Sequence, residues 1–328
     1  MPSQRHDSRV QLQSPWFDGA TTWLNSEPLS PVDLQGRVVL VSFGTYTCIN
    51  WIRSLPYVRA WALKYAEDGL QVVGVQTPEF AFEAALGDVE RALNEMGVQY
   101  PVVVDNDYAV WQAFDNHYWP ALYLVDASGQ IRHHHFGEGG YQESETVLQT
   151  LLRETGGNID RDLLRIQPTG VEAAADWVHL GSPETYLGYQ RATGFSFRGR
   201  VVRDESGVYA APVRLRRNHW SLSGAWTIGS TAVSLDRPGG IISYQFQARD
   251  LHLVMGPRTA HAPLRFRVSL NGEPPGQAAG IDIDPRGYGT ADYRRMYQLI
   301  RQPGPIDERQ FEIEFLDSDV EAFVFTFG

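Results

Sequence analysis

Two continuous apolar runs constrain the fold of this chain most strongly. They are RVVLVSF (37–43) and LQVVGVQT (70–77), and a helical pattern with a glycine at its end lies between them (54–69). Neither run alternates between apolar and polar residues, which is typical of strands that are buried on both faces of a parallel sheet. The pattern therefore predicts a strand–helix–strand unit of the α/β class.

Similar signals continue up to residue 157. They predict a helix, a strand, a short helix, a hairpin that turns at ASGQ and a closing helix, at 79–97, 100–106, 108–116, 120–139 and 143–157. Strands joined by helices and then by a hairpin predict a sheet with parallel strands at its centre and an antiparallel edge. We therefore expect an α/β domain over 15–157.

The pattern changes after residue 157. Residues 158–194 are irregular and predict a linker. From 195 to 328, short runs of strand character recur between turn signals, and runs such as RFRVSLNG and FEIEFLD alternate clearly. This spacing predicts an all-β antiparallel sandwich as the second domain.

The composition excludes several classes of protein. The chain has 328 residues and a formal net charge of −11, which argues against a nucleic-acid partner because phosphate binding needs clustered Lys and Arg. No apolar run is long enough for a transmembrane helix, so we expect no membrane partner. The start, MPSQRHDSRVQLQ, has no apolar core of a signal peptide, and one cysteine cannot form an internal disulfide. Together these features predict a cytoplasmic protein, unless an export sequence was trimmed.

The single cysteine, Cys48, lies between a predicted buried strand and a helix. A thiol at a helix N-terminus meets the positive end of the dipole and free N–H groups, which favour the thiolate and lower the thiol pKa. Thr45, three residues earlier, carries a hydroxyl that can donate to such a thiolate. The alternatives are a buried, inert cysteine and an ordinary turn threonine.

Several strings occur in the order of a known family. FGTYTCIN, RSLPYVRAW, GVQTPEFAFE, YPVVVDNDYAVW, YWPA and FGEGGY resemble the thioredoxin-like domain of the DipZ group, a TlpA-like branch of thiol–disulfide oxidoreductases. SPETYLGYQ, LSGAW, ARDLHLVMG, MYQLIRQPG and FEIEFLDSDVEAFVFTFG resemble the C-terminal β-sandwich of that group, which is similar to carbohydrate-binding modules. The resemblance covers about 15 to 328 and implies a thioredoxin-like domain followed by such a sandwich. In DipZ proteins these two domains can follow a membrane-embedded electron-transfer domain.

The departures from the family pattern concentrate at the reactive edge. The family motif CINC is Cys48-Ile49-Asn50-Trp51 here, and the aromatic residue that follows the strand phenylalanine is Gly44. The histidine of GVHTPE is Gln76, and NRYWPAHY has become NHYWPALY. The resemblance further implies that Pro120 has a cis peptide bond beside the cysteine, where it leaves a backbone edge for a substrate chain.

One thiol supports a shortened redox cycle. Attack of Cys48 on a disulfide gives a mixed disulfide, which an external thiol must resolve because no second cysteine is present. A peroxide would instead give a sulfenic acid that an external thiol reduces. We therefore predict an oxidoreductase with a single reactive cysteine, whose partner is a low-molecular-weight thiol or a protein disulfide.

Residues around Cys48 complete the predicted site. His117, three residues before Pro120, is the candidate catalytic base of a Cys–His pair, although a loop histidine can simply be solvated. Trp51 can shield the sulfur or stack a planar ligand, or it can fill the volume that a disulfide left. The predicted substrate-binding residues are Thr45, Asn50, Trp51, Arg53, Gln76, Trp119 and Pro120.

We expect no cofactor and no metal. In RHHHFGEG, His133 and His135 would share one strand face and His134 the other, so at most two could bind one ion. A hairpin strand with polar sides is the favoured interpretation.

Two other classes of function remain open from the sequence. One is a non-redox enzyme that uses Cys48 as nucleophile and His117 as base. The other is a catalytically silent binding or scaffold protein with ligand contacts on the sandwich, where exposed aromatic residues would stack on sugar rings and buried ones would form the core. These aromatic residues are Trp220, Trp226, Tyr244 and Tyr297, and burial is favoured for Trp226 and Tyr244. Self-association as a homo-oligomer is also possible.

Overall fold

The computed structural model describes residues 17–157, 159, 162–259 and 263–328. The start without a signal-peptide core (1–13) and the first two residues of the predicted α/β domain (15–16) lie outside the described residues. Internal contacts divide the chain into two units, one that ends at Glu172 and one that begins at Ala173. The first is an α/β unit and the second is all-β and antiparallel, as predicted.

In its described residues, the first unit contains one sheet of six strands and five α-helices. In chain order these are β1 (Thr22–Leu24), α1 (Pro31–Leu34), β2 (Val38–Gly44), α2 (Ile49–Lys64), β3 (Leu70–Gln76), α3 (Leu86–Glu95), β4 (Val102–Val104), α4 (Ala109–Ala113), β5 (Ala121–Val125), β6 (Ile131–Phe136) and α5 (Tyr141–Glu154). The strand order is β1-β4-β3-β2-β5-β6. β2, β3 and β4 are parallel, and the other pairings are antiparallel. Antiparallel strands therefore flank the parallel centre on both sides.

Helices cover both faces of this sheet. Val39, Val41 and Phe43 of β2 share a buried cluster with Val110 and Phe114 at α4. The alternate residues of β2 are buried as well, and both α2 and α5 contact this strand. Burial on both faces is the physical reason for the continuous apolar run in the sequence.

Helix α2 lies about five residues earlier in the chain than the sequence pattern predicted. It begins at Ile49, five residues before the predicted start, and Pro56 lies in its interior rather than in its first turn. Proline has no N–H to donate to the carbonyl of Ile52, so one backbone hydrogen bond is missing there. The buried residues Ile49, Ile52, Leu55 and Val58 recur every three positions and anchor this stretch by packing. The earlier start makes Cys48 the N-cap of α2.

The helix predicted over 79–97 is shorter and interrupted. A 3₁₀ turn covers Ala81–Ala84, and α3 begins only at Leu86. The carboxylate of Glu83 accepts from the N–H groups of Glu79 and Phe80 and so caps the start of this turn.

Eleven strands form the part of the second unit that the structure describes. They are β7 (Thr185–Tyr186), β8 (Ser206–Tyr209), β9 (Trp220–Ile228), β10 (Val233–Leu235), β11 (Gly240–Phe246), β12 (Asp250–Pro257), β13 (Leu264–Leu270), β14 (Tyr288–Ala291), β15 (Arg295–Arg301), β16 (Arg309–Phe315) and β17 (Val320–Phe327). β7 lies within the predicted linker (158–194) and pairs with β17.

Strand β9 belongs to both sheets of the sandwich. Its residues 220–223 pair with β11 in the series β14-β13-β16-β11-β9, whereas residues 226–228 pair with β10 in the series β9-β10-β17-β12-β15. Gly224, between the two halves, has φ +101°, a conformation that favours glycine. A strand that bends at such a residue can pass from one sheet to the next.

Aromatic side chains fill the space between the two sheets. Phe311 of one sheet packs against Phe325 of the other with ring centroids 5.8 Å apart. The tryptophans and tyrosines that the sequence offered for sugar stacking, Trp220, Trp226, Tyr244 and Tyr297, are at most 1% exposed. Core burial is thus confirmed for Trp226 and Tyr244, and Trp220 and Tyr297 are equally unavailable to a sugar ring.

Candidate active site

The candidate site lies where three strand ends of the first unit meet. Parallel pairing sets Gly44, the last residue of β2, opposite Gln76, the last residue of β3. Antiparallel pairing sets Phe43 opposite Ala121 of β5, so Pro120 lies beside the end of β2. The Trp119–Pro120 peptide bond is cis, as predicted. Sequence-distant segments therefore converge at the carboxyl edge of the parallel strands.

Cys48 is the N-cap of α2 and is partly exposed. Its N–H donates to the carbonyl of Thr45 at 3.0 Å, and its carbonyl accepts from the N–H of Ile52 at 3.0 Å. The thiol thus lies at the positive end of a 16-residue helix and outside the packed core. This is the environment that favours a thiolate.

Trp51 packs its indole onto Gly44. An added Cβ at Gly44 would lie 2.1 Å from Cδ1 of Trp51, so the ring occupies the space of any larger residue there. Trp51 is 4% exposed, which leaves little surface for stacking a ligand. Its Nε1 meets no acceptor among the described residues, so shape rather than hydrogen bonding fixes the ring. The two departures from the family pattern therefore compensate each other: position 51 carries a larger side chain, and position 44 carries none.

A buried polar network holds the loop between β2 and Cys48. Gln76 donates from Nε2 to the Thr45 hydroxyl at 2.9 Å. The hydroxyls of Thr45 and Thr47 both donate to the carboxylate of Glu83. The second oxygen of Glu83 accepts from the N–H groups of Glu79 at 2.6 Å and Phe80 at 2.8 Å. The loop that leads to Cys48 is thus hydrogen-bonded to one acidic side chain.

Glu83 is fully buried, and the sequence analysis did not find it. Burial raises the pKa of Glu83 to about 7, against the hydrogen bonds from Thr47, the Phe80 amide and Thr45, which lower the pKa. Its signal in the sequence was an acidic residue inside the apolar string FAFEAAL. That string alone does not reveal which distant hydroxyls the carboxylate binds.

The remaining predicted binding residues surround this loop in different ways. Arg53 is buried, and its Nη1 lies 3.4 Å from Oε2 of Glu138, so its charge is engaged in an ion pair. Asn50 is partly exposed on the first turn of α2. The indole of Trp119 donates from Nε1 to the carbonyl of Thr77 at 3.0 Å. These three residues line different parts of the edge, and their roles in binding stay predictions.

His117 lies on the exposed side of the loop before Pro120. Its side chain is 68% exposed, and Nε2 lies 3.3 Å from Oδ1 of Asp115. The contacts described for its ring are with Asp115 and Tyr118, on its own loop. The role of His117 as a base for Cys48 stays a prediction.

The three consecutive histidines follow the alternation of a strand. His133 and His135 are half-buried, and Nε2 of His133 lies 3.1 Å from the Ser144 hydroxyl. His134 is exposed and packs its ring against Phe136 on the outer side. Within the described part of the chain, no three His, Cys, Asp or Glu side chains gather as a metal site requires.

Comparisons with known proteins identify both units. A Redoxin family model matches residues 15–151, and a model described as the thioredoxin-like C-terminal domain matches 182–328. The thiol–disulfide oxidoreductase YkuV of Bacillus subtilis is 31% identical over 147 residues, which are 45% of this chain and 99% of that protein. The chain belongs to the thioredoxin-like thiol–disulfide oxidoreductase family. The first unit is accordingly a thioredoxin-like domain.

DipZ proteins match across both units. Those of Mycobacterium bovis and Mycobacterium tuberculosis are 36% identical over 259 residues, which are 76% of this chain and 36% of each relative. The chain thus spans about a third of the length of these relatives. A solution structure of a thioredoxin-like protein in its oxidized form is 31% identical, with a TM-score of 0.40, and covers 44% of this chain and 99% of that one. Among the described residues, no helix has the length and apolar character needed to cross a membrane.

The packing of Trp51 on Gly44 predicts a strong coupling between these two positions. Gly44→Ala should destabilise the protein by about 1–3 kcal/mol because the new methyl overlaps the indole. Trp51→Ala should cost about 3–5 kcal/mol through the cavity that it leaves. In the Trp51→Ala background, Gly44→Ala should cost little, and urea denaturation of the four proteins measures this double-mutant cycle.

Gly87→Ala is the matched control for this cycle. An added Cβ at Gly87, in the first turn of α3, meets no atom within 4 Å. This variant should be neutral or slightly stabilising, because alanine favours a helix more than glycine does. Additive costs for Gly44→Ala and Trp51→Ala would contradict the packing account.

The buried carboxyl of Glu83 predicts a specific dependence of stability on pH. Its pKa is about 7 in the folded state against the ordinary value of 4.5, so the protonated form favours folding. This contribution is complete below pH 4.5 and is lost as the pH rises through 7, with a loss of roughly 3 kcal/mol. Glu83→Gln should remove this fall relative to wild type, measured as free energies of unfolding between pH 4.5 and 8. The exposed Glu90→Gln should keep it, and an unchanged pH profile in Glu83→Gln would refute the assignment.

Proposed function

We propose that this protein is a thiol-dependent oxidoreductase in which Cys48 is the only redox sulfur. The observation that carries the proposal is the position of Cys48, partly exposed at the N-terminus of α2, with a buried indole three residues further on. Family membership supports redox chemistry in general, and the tryptophan limits that chemistry to one thiol. The substrate is a disulfide or a peroxide, and the second reactant is an external thiol.

With a disulfide RS–SR′, the thiolate of Cys48 attacks one sulfur. A Cys48–SR bond forms, the S–S bond of the substrate breaks, and R′S⁻ leaves with its electron pair. In a two-cysteine site the second thiol would displace RS⁻ from this mixed disulfide. Trp51 cannot do so, and therefore a thiolate R″S⁻ from solution attacks the SR sulfur, giving R″S–SR and restoring the Cys48 thiolate.

With a peroxide ROOH, the thiolate attacks the terminal oxygen. The O–O bond breaks, ROH leaves after taking up a proton, and Cys48 becomes a sulfenic acid. One external thiol then condenses with the sulfenic acid to give a mixed disulfide and water. A second external thiol releases Cys48 as the thiol and carries away the disulfide. Both cycles thus depend on thiols that the protein does not provide.

The geometry around Cys48 supports access for an extended substrate. The carbonyl of Pro120 already accepts from the N–H of Gly137, so the loop before β5 is held in place beside the end of β2. Asn50 and Trp119 are partly exposed, whereas Thr45, Gln76 and Pro120 are buried behind them. We propose Asn50 and Trp119 as the surface that a substrate chain contacts, with Thr45, Gln76 and Pro120 holding the loops that carry it.

A reactive thiolate at Cys48 can be tested with a thiol reagent. The second-order rate of iodoacetamide alkylation should rise with pH through an apparent pKa below about 8.5, the value of an ordinary cysteine, because the helix N-terminus favours the anion. Mass spectrometry should find one modified site per chain. Cys48→Ser should take up no label, and slow alkylation with an ordinary pKa would count against redox catalysis.

The role of His117 separates the redox proposal from a non-redox nucleophile. If His117 is the base of a Cys–His pair, His117→Ala should reduce the alkylation rate at pH 7 by about tenfold or more. The exposed ring and its pairing with Asp115 instead support a change of less than about twofold. Asp115→Asn is the matched control on the same loop. A turnover that needs Cys48 and His117 but no reductant would replace the redox proposal with the non-redox one.

Cytoplasmic location, self-association and sugar binding by the sandwich stay predictions. The second unit contributes no residue to the proposed cycle. The catalytically silent alternative therefore has a clear signature, namely full biological function in Cys48→Ser.

A further inference from the structure

The buried carboxylate of Glu83 has no part in the redox cycle described above. It is an acidic side chain with no solvent exposure, and it accepts a hydrogen bond from Thr47, the residue before Cys48. Burial of a carboxylate is costly unless hydrogen bonds compensate it. Four donors do so here, and two of them, the hydroxyls of Thr45 and Thr47, belong to the three residues before Cys48. The carboxylate therefore acts on the loop that presents the sulfur.

We propose that Glu83 is the positioning residue for Cys48 and makes the reactivity of the thiol depend on pH, because its carboxyl group exchanges its proton with solvent while it is hydrogen-bonded to the 45–48 loop. The proposal rests on the proposed function at Cys48. Glu83 does not touch substrate. It acts through Thr45 and Thr47.

The two protonation states of Glu83 leave different donors for the sulfur. When Glu83 is ionised, it accepts both threonine hydroxyl protons, and neither hydroxyl is free to donate to a thiolate. When Glu83 is protonated, its own O–H donates to a threonine oxygen, and a hydroxyl becomes available to Cys48. A negative carboxylate close to the loop also disfavours a second negative charge on the sulfur. Both effects raise the thiol pKa when Glu83 is ionised.

Other ionisable groups face Glu83 from the neighbouring segments. Glu79 precedes it in the same connection, and its charge adds to the rise in the pKa of Glu83. Tyr108, before α4, donates its hydroxyl to the carbonyl of Pro78, and burial raises its pKa, with smaller contributions from the charges of Glu83, Glu79 and Asp105. Asp105 accepts from the amides of Val110 and Trp111 and from Thr77. A titration near neutral pH must therefore be assigned to Glu83 by substitution.

Alkylation of Cys48 with iodoacetamide between pH 5 and 10 tests the proposal. Wild type should show two coupled ionisations, and Glu83→Gln should show one. At pH 7.5 the variant should react roughly three- to tenfold faster than wild type, because the competing negative charge is gone. The two rates should converge near pH 5.5, where Glu83 is protonated. Glu90→Gln, with the same loss of charge on the exposed side of α3, should follow wild type.

A second measurement does not depend on the reactivity of the thiol. In the Cys48→Ser background, amide resonances of residues 45–48 should shift with an inflection near pH 7, and Glu83→Gln should abolish it. Thr47→Val, which removes one donor and keeps the side-chain volume, should move the inflection to higher pH. Circular dichroism establishes that each variant is folded. An inflection that survives Glu83→Gln, or amide shifts without any inflection, would overturn the proposal.

The two tests also distinguish this proposal from the function on which it rests. A titrating loop with an unreactive Cys48 would contradict the redox function but leave the action of Glu83 on the loop intact. A reactive Cys48 whose pH profile is unchanged by Glu83→Gln would leave the redox function standing and reduce Glu83 to a structural residue.

Discussion

The contact between the Trp51 indole and Gly44 is the constraint on which the site depends. The ring takes the position that a second cysteine occupies in a two-thiol motif, and it fills the space above a strand end that has no side chain. Neither position can change alone without an overlap or a cavity. The single-thiol character of Cys48 is therefore built into the packing between β2 and α2 and is not an isolated substitution on an otherwise unchanged surface.

The strand ends and the helix dipole surround the single thiol and influence its reactivity. The parallel ends of β2 and β3 bring Thr45 and Gln76 together, while the first turn of α2 offers its positive end to the sulfur. The buried carboxylate of Glu83, whose charge is negative when it is ionised, accepts a hydrogen bond from Thr47 beside Cys48. A thiol between a helix N-terminus and a carboxyl with a pKa of about 7 is poised to respond to neutral pH.

The sequence predicted the parts of this arrangement that have strong local signals. β2 and β3 are seven-residue strands made mostly of apolar residues, and Cys48 and Pro120 each lie close to a clear strand boundary. β1 was not predicted because its three residues, TWL, are too few to show the alternation of a strand. The start of α2 was placed too late because a proline normally lies in the first turn of a helix. Here packing of the neighbouring buried residues keeps Pro56 in the helix interior. Glu83 was missed because its hydroxyl partners lie 36 and 38 residues away along the chain, and no local sequence pattern predicts contacts at that separation.

Stoichiometry with oxidised glutathione tests the single-thiol account most directly. Mixing the reduced protein with a small excess of the disulfide should release one glutathione thiol per chain and leave a stable mixed disulfide at Cys48 until an external thiol is added. Release of a second equivalent without added thiol, or no release at all, would contradict the account.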